Sequence, residues 1–153
     1  MSKPEFVYVT YIETTPEKLF QALTSSEFSR QYWFGTELHS DWKIGAPFAL
    51  VTDGLQTDVG EILEFDPPRR LSYTFKHVLQ DRFQHDAPTK VVFSIEQHGR
   101  FSKLTLTHEG FAGASKLLDG ISTGWPAILS SLKSMLETGK ALAIPRSALG
   151  KGS

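Results

Sequence analysis

The strongest pattern in the chain is an amphipathic helix close to its C-terminal end. Between Gly124 and Gly139, apolar side chains recur every three or four residues, while serines and charged residues occupy the opposite face. Burying six such side chains contributes roughly 10–15 kcal/mol before entropic costs, so this stripe requires an apolar cover. The stripe consists of Trp125, Ile128, Leu129, Leu132, Met135 and Leu136.

Most of the chain before this helix alternates between apolar and polar residues, which is typical of strands with one buried face. Short turns rich in Gly, Pro and Asp separate the alternating segments and favour sequential antiparallel pairing. The predicted strands are residues 6–12, 36–39, 48–52, 57–65, 71–77, 89–97 and 103–109. The stripe of the last helix is therefore expected to pack against a sheet.

The first strand, 6–12, differs from the others because both of its faces are apolar. Its even-numbered residues begin with Phe6 and Tyr8, and its odd-numbered residues are Val7, Val9 and Tyr11. This composition predicts a strand that is covered on both sides.

Two short helices follow the first strand. Thr14-Thr15-Pro16-Glu17 predicts a helix start, either with Thr14 as the cap and Glu17 three residues on, or with Thr15 as the cap and Pro16 at the first helical position. The second short helix is predicted for residues 25–32.

Pro126 is expected to fix the beginning of the last helix, because a proline in a helix interior costs about 3 kcal/mol. The sequence therefore predicts a break or kink near residues 122–125, after a separate short helical segment at 113–119. Residues 143–153 lose the periodicity and are expected to form a flexible tail, which leaves residues 1–142 as one domain.

Composition limits the function classes. The chain has 153 residues, 40% of them hydrophobic and 22% charged, as in one ordinary globular domain. A formal net charge of −1 gives no argument for nucleic acid or an anionic membrane as a partner. The absence of Cys excludes disulfides and thiolate chemistry. With no stretch apolar enough for a signal or a membrane span, the cytoplasm is the expected location.

Four motifs carry a family resemblance: YWFG at 32–35, SDWKIGAP at 40–47, DVGEILEFDPPRRL at 58–71, and GW at 124–125. With the order of elements, they resemble the START-like (SRPBCC) superfamily, in the branch similar to the C-terminal domain of the activator of Hsp90 ATPase. The resemblance implies an α+β helix-grip fold, in which a curved antiparallel sheet of about six or seven strands wraps around a long C-terminal helix, with two short helices after the first strand. It also implies a hydrophobic cavity between the sheet and that helix.

The candidate cavity residues lie on the predicted inner face of the sheet, beside the short helices, and at the start of the last helix. His77 and His108, at the rim, could orient a ligand hydroxyl or act as acid or base, and Tyr73 could offer its phenol. The alternative for each is a structural residue with a satisfied polar group. The full set is Trp33, Phe48, Tyr73, Phe75, His77, Phe93, Leu106, His108, Trp125, Ile128 and Leu129.

No catalytic or cofactor motif is present, so we assign no catalytic residue and predict no cofactor. His77, Asp81, His85 and Asp86 are close in sequence and could gather around a divalent ion. They span a strand end and a polar loop, where such residues are ordinarily solvated, so no metal site is predicted.

Three functional hypotheses follow. The leading one is binding of a small hydrophobic or aromatic molecule, of lipid, polyketide or phenolic type, in a cavity of roughly a few hundred Å³. The second is a protein-interaction or stress-response accessory related to Hsp90 ATPase activators, with an exposed apolar patch around Trp42. The third is a cyclase-type enzyme that uses His77, His108 or Tyr73. A protein partner or a homodimer is left open.

Overall fold

The computed structural model of the chain describes residues 5–78, 88–110 and 116–144. No helix in these ranges is long and apolar enough to cross a membrane. Within them lie seven strands and three helices: β1 (Phe6–Ile12), α1 (Pro16–Thr24), α2 (Ser26–Tyr32), β2 (Thr36–Ser40), β3 (Pro47–Thr52), β4 (Leu55–Asp66), β5 (Arg70–His77), β6 (Thr89–His98), β7 (Phe101–Glu109) and α3 (Lys116–Thr138).

The seven strands form one antiparallel sheet in the order β1-β7-β6-β5-β4-β3-β2. Strands β2 to β7 follow chain order, and β1 joins the far side by pairing with β7. The sheet is curved and open, with β1 and β2 at its two edges, and α3 packs across its inner face. The helix-grip fold is therefore confirmed.

Alternation explains the position of the core. In β5, Leu71, Tyr73, Phe75 and His77 are buried on the inner face, where they meet the helices. The core continues into the short helices, because α1 buries Leu19 and neighbouring apolar residues. All three helices thus share one hydrophobic core with one face of the sheet.

Thr15 caps α1, and its Oγ1 accepts a hydrogen bond from the Lys18 N–H at 3.2 Å. Pro16 occupies the first helical position, where a missing N–H removes no intrahelical bond. Of the two predicted starts, the one with Thr15 as the cap is therefore the one in the structure.

The predicted break before Pro126 is wrong, because α3 is continuous from Lys116 to Thr138 and includes the proline. Ile121, Trp125 and Ile128 are buried on the same side of the helix, before and after the proline. Packing of this apolar face outweighs the local cost of the missing N–H.

The predicted cover on both faces of β1 is also wrong. The side chains of Val7, Val9 and Tyr11 are 51%, 47% and 47% exposed. The helices pack on the inner face alone, so the outer face of this edge strand is left in solvent among the described residues.

Candidate functional site

The predicted cavity residues converge on the indole of Trp125, at the N-terminal half of α3. Its ring centroid lies 5.3 Å from that of Trp33, 5.9 Å from Phe93, 6.2 Å from His108 and 6.5 Å from Phe75. Trp33 is half-buried, and the other four rings are buried. The inner face of the sheet and the helix thus build an aromatic cluster around one side chain.

The cluster extends along the sheet toward β3. Phe48 stacks on Tyr73 with a centroid distance of 4.1 Å and an interplanar angle of 23°, and Tyr73 lies 6.1 Å from Phe93. Leu106 and Leu129 pack beneath these rings with 0% and 1% of their surface exposed. We call the seven rings of Trp33, Phe48, Tyr73, Phe75, Phe93, His108 and Trp125 the aromatic cluster.

His108 lies inside the cluster and does not lie at its rim, since its exposure is 0%. The Trp125 Nε1–H donates to His108 Nδ1 at 3.0 Å. Because Nδ1 accepts, the imidazole proton lies on Nε2, which donates to Thr89 Oγ1 at 2.7 Å. The Thr89 hydroxyl in turn donates to the Phe75 carbonyl oxygen at 3.0 Å.

Burial lowers the pKa of His108 from its ordinary value of 6.5 to about 3. The ring is therefore neutral near pH 7, and both of its nitrogens are engaged in hydrogen bonds. This arrangement favours the structural alternative for His108 over a role in proton transfer.

His77 makes a buried pair with a residue that sequence reasoning missed. His77 Nδ1 lies 2.9 Å from Asp58 Oδ1, and both side chains are 9% exposed. The two residues face each other in the register of β4 and β5. The Thr57 hydroxyl donates to Asp58 Oδ2 at 2.8 Å and helps to hold the carboxylate.

One signal in the sequence could have revealed Asp58. It lies four residues before Ile62, which is fully buried, so alternation along β4 places both on the inner face. A carboxylate at an inward position of an apolar sheet is unusual enough to mark a site.

Tyr73 lies on the same inner face of β5 as His77, four residues before it. Burial raises the pKa of Tyr73 well above its ordinary value of 10.0, and the nearby Tyr32 and Asp58 raise it further. Tyr32 is also buried, and its hydroxyl donates to the Ala22 carbonyl oxygen at 2.9 Å. Tyr73 therefore remains a protonated hydrogen-bond donor, and we call Asp58, His77 and Tyr73 the polar trio.

A separate cleft of about 260 Å³ lies on the surface, on the side of α3 that faces the β1–α1 turn and the β6–β7 hairpin. Most of its lining residues carry polar or charged side chains, and Arg100 Nε lies 3.4 Å from Glu13 Oε2. None of the predicted cavity residues line it. The lining residues come from the β1–α1 turn with the start of α1, from the β6–β7 hairpin and from α3: Glu13, Thr14, Thr15, Lys18, Gln97, Gly99, Arg100 and Leu136.

Trp42 and the residues considered for a metal site complete the set of sequence candidates. Trp42 is half-buried, with its ring 6.1 Å from Phe48, and Ile44 beside it is 71% exposed, so the exposed patch expected around Trp42 stays a prediction. The described ranges contain no group of three or more side chains that could hold a metal ion. Three of the residues considered for a metal site, Asp81, His85 and Asp86, lie outside the described residues.

Solved structures share this architecture. The chain is similar to the Aha1 dimer from Colwellia psychrerythraea, with 20% identity, 90% of this chain and 99% of that chain covered, and a TM-score of 0.75. It is similar to an Hsp90 activator from Plasmodium falciparum, with 22% identity, coverages of 86% and 95%, and a TM-score of 0.72. A protein from Cytophaga hutchinsonii gives 26% identity, coverages of 90% and 96%, and a TM-score of 0.72.

No curated protein matches the chain significantly. The family model described as "Activator of Hsp90 ATPase homolog 1-like protein" matches residues 13–137, which is most of the sequence. This match agrees with the helix-grip fold and with the solved structures that share it. The chain therefore belongs to the activator of Hsp90 ATPase homolog 1-like protein family.

Proposed function

We propose that the protein binds a small hydrophobic or aromatic molecule with a hydrogen-bonding group, between the sheet and α3, at the polar trio. The observation that carries this proposal is the Asp58–His77 pair, a carboxylate and an imidazole buried together inside an apolar, aromatic core.

Stability alone gives no reason for such a pair. Removing a carboxylate from water costs several kcal/mol, and replacing a buried ion pair by apolar residues is often neutral or stabilising. Small-molecule sites, in contrast, combine a mostly apolar wall with a few fixed polar groups. The polar trio set among the rings of Phe48 and Phe75 has this composition.

Packing limits where the ligand lies. Leu106, His108 and Leu129 have no more than 1% of their surface exposed, so they form the floor of the site. His77 keeps 8% exposure at the end of β5, two residues from Phe75 on the same face. The ligand is therefore assigned to the His77 end of the cluster. The half-buried Trp33, against Trp125, is the ring that would move aside to admit it.

The test compares 2-naphthol, an aromatic with one hydroxyl, with naphthalene, which lacks it. Isothermal or fluorescence titration of the wild-type protein should show tighter binding of 2-naphthol by about tenfold, because a polar site left without its hydroxyl loses affinity. The double variant Asp58→Leu/His77→Leu should fold at least as stably and lose this difference.

The matched control is Glu37→Leu/His39→Leu, which alters an exposed pair of the same chemistry, with Oε1 and Nε2 3.0 Å apart. It should bind both compounds as the wild type does. The proposal is wrong if the wild type shows no saturable binding of either compound and retains no small molecule in native mass spectrometry after purification from its host.

The Hsp90-related alternative has less support from the geometry. Trp42 itself is half-buried against the core, which leaves Ile44 as the exposed apolar side chain beside it. Further exposed apolar side chains line the outer face of β1.

A further inference from the structure

The open sheet has two edge strands, and only one of them is fully protected. An edge strand presents a row of backbone N–H and C=O groups that can pair with another strand, so folded proteins usually cover it or charge it. In this chain β2 and β1 form the two edges.

The β2 edge is closed by the helix that precedes it. The Ser29 hydroxyl donates to the Thr36 carbonyl oxygen at 2.8 Å, and the Ser26 hydroxyl donates to that of Leu38. The outer face of the strand carries Glu37 and His39, which pair with each other. Satisfied carbonyls and charged side chains both discourage a further strand.

Among the residues that the structure describes, contacts close the β1 edge at its C-terminal end alone. Lys133 of α3 donates from Nζ to the Tyr11 carbonyl oxygen at 2.7 Å, and the Glu13 N–H donates to Glu137 Oε2 at 2.8 Å. Lys133 and Glu137 are themselves paired at 2.6 Å. One ion pair of the helix thus satisfies two outward backbone groups of the strand end.

These contacts also show which backbone N–H and C=O groups of β1 point away from β7, toward the free edge of the sheet. Outward groups alternate along an antiparallel strand, so the N–H and C=O of Val7 and Val9 lie on the same edge as those of Tyr11 and Glu13. Among the described residues, nothing pairs with them. The side chains of Val7, Val9 and Tyr11 are about half exposed and carry no charge.

We propose that this edge binds the β1 strand of a second copy of the chain, antiparallel, with the two-fold axis at Tyr8. In this register Val7 lies opposite Val9 of the second copy, twice by symmetry, and the two pairs exchange about four backbone hydrogen bonds. The pairs that involve Tyr11 are blocked in any register, because Lys133 already occupies its carbonyl oxygen. A register with Val9 opposite itself would keep only that one pair, since Val7 would then lie opposite Tyr11.

Charge and shape agree with this register. Glu5 of the second copy falls opposite Tyr11, whose carbonyl oxygen is bonded to Lys133, so the Glu5 carboxylate would share the Lys133 ammonium with Glu137 at both ends of the pairing. Valine pairs across strands are favourable because β-branched side chains pack well on a pleated surface. Because the pairing joins one strand of each copy, we expect a weak association, with a dissociation constant on the order of 10 μM.

Sedimentation velocity between about 1 and 500 μM tests the proposal, because the range brackets that constant. The wild type should shift from monomer to dimer, and Val9→Lys should stay monomeric because it puts a charge at the interface. The matched control is Ile44→Lys, which removes an exposed apolar side chain in the β2–β3 turn and should dimerise as the wild type does.

Single-cysteine variants test the register, since the natural chain has no Cys. Tyr8→Cys should form an intermolecular disulfide, because residues facing each other at such an axis have Cα atoms about 4.5 Å apart. Thr10→Cys lies opposite Phe6 and should not. A wild type that stays monomeric at all concentrations, a Val9→Lys variant that still dimerises, or cross-linking at Thr10→Cys in preference to Tyr8→Cys would each overturn the proposal.

Discussion

His108 is a titratable side chain whose protonation state is fixed by its neighbours. Its Nδ1 accepts from Trp125, and its pKa is lowered to about 3 by burial. The unfolded chain, with a pKa near 6.5, binds more protons between these two values. The free energy of unfolding should therefore be at its full value above pH 6.5 and fall as the pH drops toward 3, by about 3 kcal/mol at pH 4.

Urea unfolding followed by circular dichroism between pH 7 and pH 4 measures this effect. His108→Phe removes the titrating group, so its stability should fall less steeply with pH than that of the wild type, whatever its stability at pH 7. His39→Gln, at an exposed histidine, should leave the slope unchanged. Equal slopes for wild type and His108→Phe would contradict the assignment.

The sequence located most candidate side chains of the site but not their roles. Alternation placed Tyr73, Phe75 and His77 on the inner face, because period-two patterns are local. The contacts of His108 with Thr89 and Trp125 join β7 to β6 and α3, and such long-range hydrogen bonds leave no trace in local sequence. Alternation along β4 could have placed Asp58 on the inner face, but its pairing with His77 on the next strand is a long-range contact that the local pattern does not show.

At the scale of elements, α3 contains the clearest conflict between local preference and packing. Pro126 lies inside the helix, where it lacks an N–H for the ladder. We expect Pro126→Ala to raise the free energy of unfolding by about 1–3 kcal/mol, because alanine restores the donor and has the best helix propensity.

Urea denaturation midpoints measure the gain. The control is Ser130→Ala, one turn further along α3, which improves propensity by only about 0.5 kcal/mol and leaves the ladder intact. A neutral or destabilising Pro126→Ala would show that the packing of Trp125 requires the proline.

Element boundaries were largely predictable from the sequence. The predicted strand 6–12 coincides with β1, and 57–65 and 103–109 each begin two residues after the observed starts at Leu55 and Phe101. Turn residues and alternation act locally, which explains this agreement. The break at Pro126 and the cover on β1 depend on which elements pack together, and the local pattern carries no information about that.

At the scale of the whole molecule, pairing of β1 strands would couple stability to concentration. Binding of a second copy to the folded state alone stabilises it, by about 2 kcal/mol when the concentration is some 50 times the dissociation constant. We expect the Tm to rise by roughly 2–6 °C between about 5 and 500 μM protein.

Differential scanning calorimetry at several concentrations measures the shift. Val9→Lys should show a Tm independent of concentration, while Ile44→Lys should follow the wild type. The same concentration dependence in Val9→Lys would show that any self-association uses another surface.

The hydrogen bonds from Ser26 and Ser29 to the β2 edge limit how many copies of the chain the proposed strand pairing can join. A sheet with two edge strands that can pair can add molecules without limit and grow into fibres. A sheet with only one such receptive edge can pair once, because the dimer has no free receptive edge left. In the proposed pairing, two serines of the seven-residue helix α2 would thus limit the assembly to two copies. Removing both hydroxyls would expose a second receptive edge and turn a self-terminating dimer into a growing polymer.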